Sequence, residues 1–393
     1  MKIGIEAQRI FRKHKHGMDI VALELIRNLQ EIDHDNDYVI FVKPDVDRDV
    51  LHESENVRIV EIASSPYPYW EQVLLPAAVE SHRIELLHCT SNTAPLKLNI
   101  PLVLTLHDII YLEKLSFTRG SWYQIFGNFY RRWNVPAVVR NVSSIITVSN
   151  YEHERIQQYF GLEENKVQTV YNGVGKHFQQ IEDQHSLSSI RQKYTLPPSF
   201  VFFLGNTDPK KNVEGVLKAL AILENRGELN FKLVMPDIDR DYIIKMAGRI
   251  TNADILKCIH FTGYIPNNDL PAIYTMARVF LYPSLRESFG IPILEAMACG
   301  TPVVTSTTSS MPEVADDAAL LVNPNDPEEI ANAIVRAFSD ETLRQQLIQK
   351  GKSRAAHFSW RKNAEQTLSI YRDVIGSLQP NPTKGARIRT RNV

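Results

Sequence analysis

Short, almost wholly apolar runs recur along the chain, and each is followed by a longer stretch in which apolar residues return at helical spacing. In the first half the runs fall at residues 3–7, 38–42, 57–62, 102–106, 145–148 and 167–170. In the second half they fall at 200–204, 231–235, 259–262, 279–282 and 303–305. Strand followed by helix, repeated, predicts βαβ units. Because the runs do not alternate apolar with polar, the strands should be parallel and covered by helices on both faces. The first helix is expected near 20–30 and the last over 360–378.

Two such sheets are expected, since 393 residues exceed what one core usually organises. The polar stretch 176–198, ending in Pro197-Pro198 before a fresh strand, is the expected boundary. It predicts a first domain over 1–178, a second over 199–360, a helix over 361–378 returning to the first domain, and a polar, basic tail over 379–393. A hinge at the boundary would let the halves close on a ligand. No repeat of fixed period interrupts this plan.

Charge narrows the function. Lys plus Arg total 44 against 45 for Asp plus Glu, so no nucleic-acid partner is expected. Cys89, Cys258 and Cys299 are far apart and lack metal-ligand spacing, which predicts a reduced, cytoplasmic compartment. The chain opens on an apolar strand rather than a charged leader, and no run approaches the ~20 apolar residues that span a bilayer.

The chemistry concentrates after the run at 279–282. There the sequence reads strand, loop, short helix and stop, with Pro292 suited to the first helical position and Gly300 just past the end. Amides of Phe289, Gly290 and Ile291 at that helix start suit a diphosphate or sugar hydroxyls. Glu287 lies in the loop, and Glu295 lies one turn inside the helix, where an ionised carboxylate could accept from both hydroxyls of a ribose. In the first half, the run at 102–106 ends in His107-Asp108, which places an imidazole at the carboxyl edge of a sheet.

The segment from Glu287 to Glu295 resembles the Glu-x7-Glu signature of glycosyltransferase family 4, retaining enzymes of the GT-B fold. The resemblance implies two Rossmann-like doubly wound domains facing across a cleft. It also implies that Glu295 binds the donor ribose and Glu287 lies by the transferred sugar. Gly205 to Asn212, with Lys210 and Lys211, resembles the family's basic loop and makes Lys211 the group that would neutralise the departing diphosphate. An Arg common in that loop is replaced here by Asn206 or Thr207. By the same resemblance His107 would meet the donor sugar or place the acceptor hydroxyl, Gly17 would bring backbone to the donor, and Gly263-Tyr264 would contact the base. Thr147-Val148-Ser149, Asn172-Gly173-Val174 and Phe358-Ser359-Trp360 extend the match over nearly the whole chain.

The function implied is transfer of a hexose from a nucleotide diphosphate sugar to a glycan or lipid-linked acceptor, with no cofactor and no metal. Pro209-Lys210-Lys211-Asn212 is similar to the loop of many bacterial mannosyltransferases, which implies GDP-mannose. Front-face attack and a covalent intermediate both remain open. A nucleotide-sugar epimerase and a donor-binding protein without turnover are the competing readings. A dehydrogenase falls away because neither Gly4 nor Gly17 begins Gly-x-Gly-x-x-Gly. Asp237-Ile238-Asp239, a formal metal motif, reads better as a helix start. Finally, Arg119, Trp122, Tyr123, Phe126, Tyr130, Arg131, Arg132, Trp133 and Arg140 mix aromatic and basic residues on one helix. That suits either peripheral contact with the inner face of a membrane or a buried aromatic face with exposed Arg heads.

Overall fold

The computed structural model describes residues 1–113, 122–250 and 254–377, the side chains of 122–125 excepted. Arg119, the side chains of Trp122 and Tyr123, and the tail 379–393 therefore lie outside the described residues. Contacts divide the chain into two compact units: 1–147, 156–170 and 363 onward form the first, and 148–155 with 171–362 form the second.

The first unit holds a seven-stranded parallel sheet of β1 (Lys2–Glu6), β2 (Asp37–Val42), β3 (Val57–Glu61), β4 (Leu86–Cys89), β5 (Leu102–Thr105), β6 (Ser144–Thr147) and β7 (Val167–Thr169). Its order is β3-β2-β1-β4-β5-β6-β7. The second holds a six-stranded parallel sheet of β8 (Phe200–Phe203), β9 (Lys232–Pro236), β10 (Ile259–Gly263), β11 (Val279–Tyr282), β12 (Val303–Ser306) and β13 (Ala319–Val322), ordered β10-β9-β8-β11-β12-β13. In each sheet the order reverses once, between β1 and β4 and between β8 and β11. Loops leaving the carboxyl ends on either side of such a reversal diverge and open a crevice, where ligands of this fold class bind.

Parallel strands bury both faces, and the side chains sort accordingly. On β2, Tyr38, Ile40 and Val42 join the core that holds Ile3 and Ile5, while Val39 and Phe41 join the opposite one with Trp70 and Leu104. On β8, Phe200 and Phe202 face one core and Val201 and Phe203 the other. Strands β4 and β13 escape the sequence pattern. β4 offers only Leu86 to Cys89 with a buried His88 inside the run, and β13 is a four-residue strand directly after a one-turn helix.

The helix Trp360–Gly376 belongs mainly to the first unit. Ala364, Leu368 and Tyr371, at i, i+4 and i+7, pack into the core of β1. His88 Nδ1 and the Tyr371 hydroxyl share a 2.6 Å hydrogen bond, and His88 Nε2 meets Thr105 Oγ1 at 2.7 Å. Burial lowers the His88 pKa to about 3, which keeps the imidazole neutral and the bond between uncharged partners.

The passage between units falls at Tyr171 rather than at 178. Tyr171 packs against Phe289 and Phe358, and Phe178 against Tyr274, so aromatic burial draws 171–178 into the second unit. Residues 148–155 are drawn in by polar contacts: Ser149 Oγ donates to the Ser288 carbonyl at 2.8 Å, and the Asn150 and Tyr151 amides donate to the Glu313 carboxylate. The helix Trp122–Asn141 splits its aromatics. Tyr130 is buried and donates to the buried Glu71 carboxylate, which also accepts from Tyr67 and Thr93, while Phe126 and Trp133 stand exposed.

Asn172-Gly173-Val174 and Phe358-Ser359-Trp360 meet directly through a bridge between Val174 and Ser359. A Cβ on Gly173 would lie 2.2 Å from the Trp360 backbone nitrogen and 2.5 Å from the Ser359 carbonyl carbon. Backbone cannot rotate aside as a side chain can, so Gly173→Ala is expected to destabilise the fold by about 1–3 kcal/mol. A lowered thermal unfolding midpoint is the measurement; an unchanged midpoint would contradict the contact.

Candidate active site

The second sheet's reversal point carries the candidate chemistry. The loop after β8 folds into a 3-10 turn, Pro209–Lys211, started by Asp208, whose carboxylate accepts from the Lys210 amide at 3.1 Å. The lysines thus sit in this turn rather than in the helix Val213–Asn225 expected to hold them. Asn212, at φ 58° and ψ 38°, separates the two. It is buried, and its amide donates to the Pro283 and Pro324 carbonyls at 3.0 and 2.7 Å, while Oδ1 caps the helix through the Gly215 amide. One asparagine therefore ties the basic loop to the loop after β11.

That second loop is held from several sides. The Leu285 amide donates to the Lys210 carbonyl at 2.7 Å. Ser306 Oγ donates to the Ser284 carbonyl, the buried Ser310 Oγ donates to the carbonyls of Glu287 and Phe289, and Ser309 Oγ accepts from the Glu287 amide. Arg286 pairs with Glu152 at 2.9 Å and covers the Tyr151 ring. Gly290 then takes φ +107°, a conformation closed to most side chains, and the helix Ile291–Ala298 begins. Pro292 is the second helical residue rather than the first, where its missing N–H is equally harmless. The Phe289 side chain is buried between Tyr171 and Phe358, which leaves its backbone, not its ring, for any ligand.

Lys211 and Glu287 meet in this frame. Lys211 Nζ donates to Glu287 Oε1 at 2.6 Å and to the Tyr282 hydroxyl at 2.7 Å, and lies 4.8 Å from the centre of the Tyr282 ring. Burial acts to raise the Glu287 pKa, but the Lys211 and Lys210 charges, with hydrogen bonds from Lys211 and Ser284, outweigh it and hold the carboxyl below its ordinary value. Lys210 contributes through charge alone, being more exposed and 3.9 Å from Asp208.

Among the described residues, none of the cations pairs with Glu295. Its partner is Tyr274, whose hydroxyl donates to Oε2 at 3.1 Å, and burial pushes the carboxyl up to about 7 despite that bond. Tyr282, a buried phenol, feels the charge of both Glu287 and Glu295. Tyr264 stands exposed just after β10, where Gly263 turns the chain at φ +70°. Asp239, of the formal metal motif, accepts from the Asp241 and Tyr242 amides and so caps the helix Arg240–Ile250.

His107 and Gly17 belong to the first unit. His107 is buried; its Nε2 donates to the Thr90 carbonyl at 2.9 Å and its amide donates to Asn92 Oδ1 at 2.7 Å. Burial lowers its pKa, so the ring is neutral and Nδ1 is left as the acceptor. Asp108 Oδ1 accepts from the Ile110 amide and starts the next short helix. Gly17 opens the helix Gly17–Ile32, where a Cβ would meet nothing within 4 Å, so packing does not explain the glycine.

Sequence reasoning passed over Tyr282, Tyr274, Asn212 and the hydroxyl cluster Ser306 to Ser310. The cluster had a visible signal: six consecutive hydroxyl residues, Thr305 to Ser310, at a strand's carboxyl end.

Two doubly wound parallel sheets, with a lysine, two glutamates and a glycine-started helix at the reversal point of the second, define the class: an enzyme of the GT-B fold that transfers a sugar. The family model "Glycosyltransferase Family 4" matches residues 16–176, and "Glycosyl transferases group 1" matches 188–354. O-antigen chain mannosyltransferase B of Escherichia coli is 32% identical over 274 residues, 69% of this chain and 70% of that protein. The chain belongs to glycosyltransferase family 4 and is a glycosyltransferase. Serotype-specific mannosyltransferase WbdA of Escherichia coli is 27% identical over 290 residues, 72% of this chain, which spans about a third of that protein (35%). Among solved structures, a glycosyltransferase from Rickettsia africae superposes with TM-score 0.72 at 17% identity, covering 95% of this chain and 98% of that one. Anabaena HepE, solved with UDP and glucose, superposes with TM-score 0.71 at 19% identity, covering 95% and 99%.

Proposed function

We propose that this glycosyltransferase moves a hexose, mannose on the strength of its relatives, from a nucleotide diphosphate sugar to a hydroxyl of a glycan or lipid-linked acceptor, with retention and without a metal or other cofactor. The observation that carries the reading is the Lys211–Glu287 pair beside Tyr282, with the Glu295 carboxylate near enough for its charge to act on the same phenol. In this reading Glu295 accepts from the donor ribose, and Lys211, assisted by Lys210 and the amides of Phe289, Gly290 and Ile291, holds the diphosphate. Donor arrival draws Lys211 toward phosphate oxygens, and Glu287 is then left to the transferred sugar. A fixed ammonium and oriented amides stabilise charge on the leaving diphosphate as a metal would. His107 Nδ1 serves the sugar or acceptor hydroxyl as an acceptor, Gly17 gives the donor access to backbone, and Tyr264 stacks on the base. Named relatives support mannose as the sugar, since O-antigen chain mannosyltransferases recur among them.

The kinetic test separates binding from chemistry. Glu295→Ala is expected to raise the donor KM about tenfold or more, the worth of a hydrogen bond to a charged group. Lys211→Ala is expected to lower kcat by about 10²–10³ with a smaller change in KM. Near-wild-type kinetics in both variants, or an altered free donor in place of a transfer product, would overturn the assignment. Turnover abolished by excess EDTA and restored by a divalent ion would overturn its metal-free part.

Glu295 also dictates a pH dependence. Only the ionised form accepts from both ribose hydroxyls, and the free site's carboxyl ionises near 7. Donor affinity should therefore rise with pH up to about 7, by at most about tenfold per unit, and level off above it. Calorimetric affinities from pH 5.5 to 8.5 check this, with Glu295→Gln expected to flatten the curve; an unchanged slope in that variant would refute the role.

Peripheral membrane contact is the remaining part of the reading. Phe126, Phe129 and Trp133 are 62%, 68% and 55% exposed, and their i, i+3 and i+7 spacing places them on one helix face. Arg131 and Arg132 follow Phe129 in sequence, with Arg132 bordering that face, and add positive charge that complements an anionic bilayer. Co-sedimentation with phosphatidylglycerol vesicles should be lost in a Phe126→Ser, Phe129→Ser, Trp133→Ser variant and weakened in Arg131→Glu, Arg132→Glu. Absence of vesicle binding by the unaltered chain would reject this contact.

A further inference from the structure

The first sheet has its own opening, lined by none of the residues just described. The loops that leave the carboxyl ends of β1, β2 and β3 enclose a cavity of about 330 Å³, at the small end of the range for small-molecule sites. Three cations line it: Arg9 and Arg12 after β1, and Lys43 after β2. Against them stands one lining carboxylate, Asp45, whose Oδ1 already accepts from the Val46 amide. Ser64 and Ser65, from the loop after β3, complete the polar wall.

Two of the three cations are held in place. Lys43 Nζ donates to the Ser65 carbonyl at 2.7 Å, which joins the β2 and β3 loops across the cavity. Arg9 Nε lies 3.3 Å from the buried Asp19 carboxylate, which in turn accepts from the His16 amide at 3.0 Å and steadies the neighbouring helix start. Burial, with the charges of Arg12 and Arg9, lowers the Lys43 pKa, a sign that the three positive groups repel one another at close quarters. Glu6 is fully buried, accepts from the Gln8 amide and, with burial raising its carboxyl to about 7, offsets part of the charge at Lys43 and Arg9.

Like charges gathered in a partly desolvated pocket weaken the fold unless an anion relieves them. Two guanidiniums with an ammonium are the donor set suited to phosphate oxygens, which accept several charge-assisted hydrogen bonds at once. We infer that the cavity at the carboxyl ends of β1, β2 and β3 binds a phosphate or diphosphate group through Arg9, Arg12 and Lys43. The group can arrive on a phosphorylated acceptor or as a free phosphate anion, which share this chemistry. The site goes beyond the donor-binding reading and does not use its residues.

Calorimetric titration of inorganic pyrophosphate into the full chain carrying Lys211→Ala tests it, because that change removes the cation assigned to the donor diphosphate. Saturable, salt-sensitive binding is expected, weakened about tenfold or more by Arg12→Gln and by Lys43→Gln added separately. Lys43→Gln keeps a donor for the Ser65 carbonyl, and the Arg12 group that accepts from Lys15 is its carbonyl, so neither change should unfold the loops. Binding that is absent, or indifferent to both substitutions, overturns the site. Competition then names the occupant. Displacement of pyrophosphate by a mannose phosphate but not by methyl mannoside upholds the site as one for a phosphorylated acceptor; displacement by inorganic phosphate alone upholds it as one for a free anion. No donor or turnover enters the measurement, so failure of the transfer reading would leave this result standing, and the reverse holds equally.

Discussion

A lysine ammonium held 2.6 Å from a glutamate carboxylate, both largely withdrawn from water, is the constraint around which the second unit's active face is organised. Taking two charges out of water costs several kcal/mol per ion, repaid only when geometry and further hydrogen bonds are good. Here the Tyr282 hydroxyl and ring receive the ammonium, and Ser284 with the Lys210 charge supports the carboxylate. The arrangement needs two loops, one from each side of the reversal point, to keep register with each other. Asn212 and the hydroxyl cluster Ser306 to Ser310 supply that register, bonding to carbonyls that loops would otherwise leave unsatisfied.

The two acids of the site are thereby made unlike. Glu287 faces cations and stays ionised well into the acid range, while Glu295, with only a phenol for partner, is poised to change charge near neutrality. Environment rather than residue type separates their chemistry. In the proposed reading, a carboxylate next to the reacting sugar benefits from constant charge, and one that grips a ribose can gain its proton-free form as ligand hydroxyls arrive.

Much of this was legible in the chain. Nearly all-apolar runs disclosed parallel strands, and the glycine and prolines around Gly290 located the helix start to within a residue. The lysine turn was placed on the wrong side of a boundary because Asn212 adopts a left-handed conformation that propensity does not announce. Strands β4 and β13 escape the pattern because His88 interrupts the apolar run of the first and the second follows a one-turn helix without a break. Composition changes near 178, whereas aromatic packing by Tyr171 and Phe178 starts the second unit's main segment at Tyr171.

The sequence by itself determined the class of fold and the family, and marked two acids and a lysine as candidates, because these depend on local periodicity and on spacing within one segment. Tertiary structure alone decided which of those groups pair, which carboxyl keeps its charge and where three cations from two loops gather. Those properties arise from distances between residues far apart in the chain and from the loss of water around them, and neither is written in any local pattern.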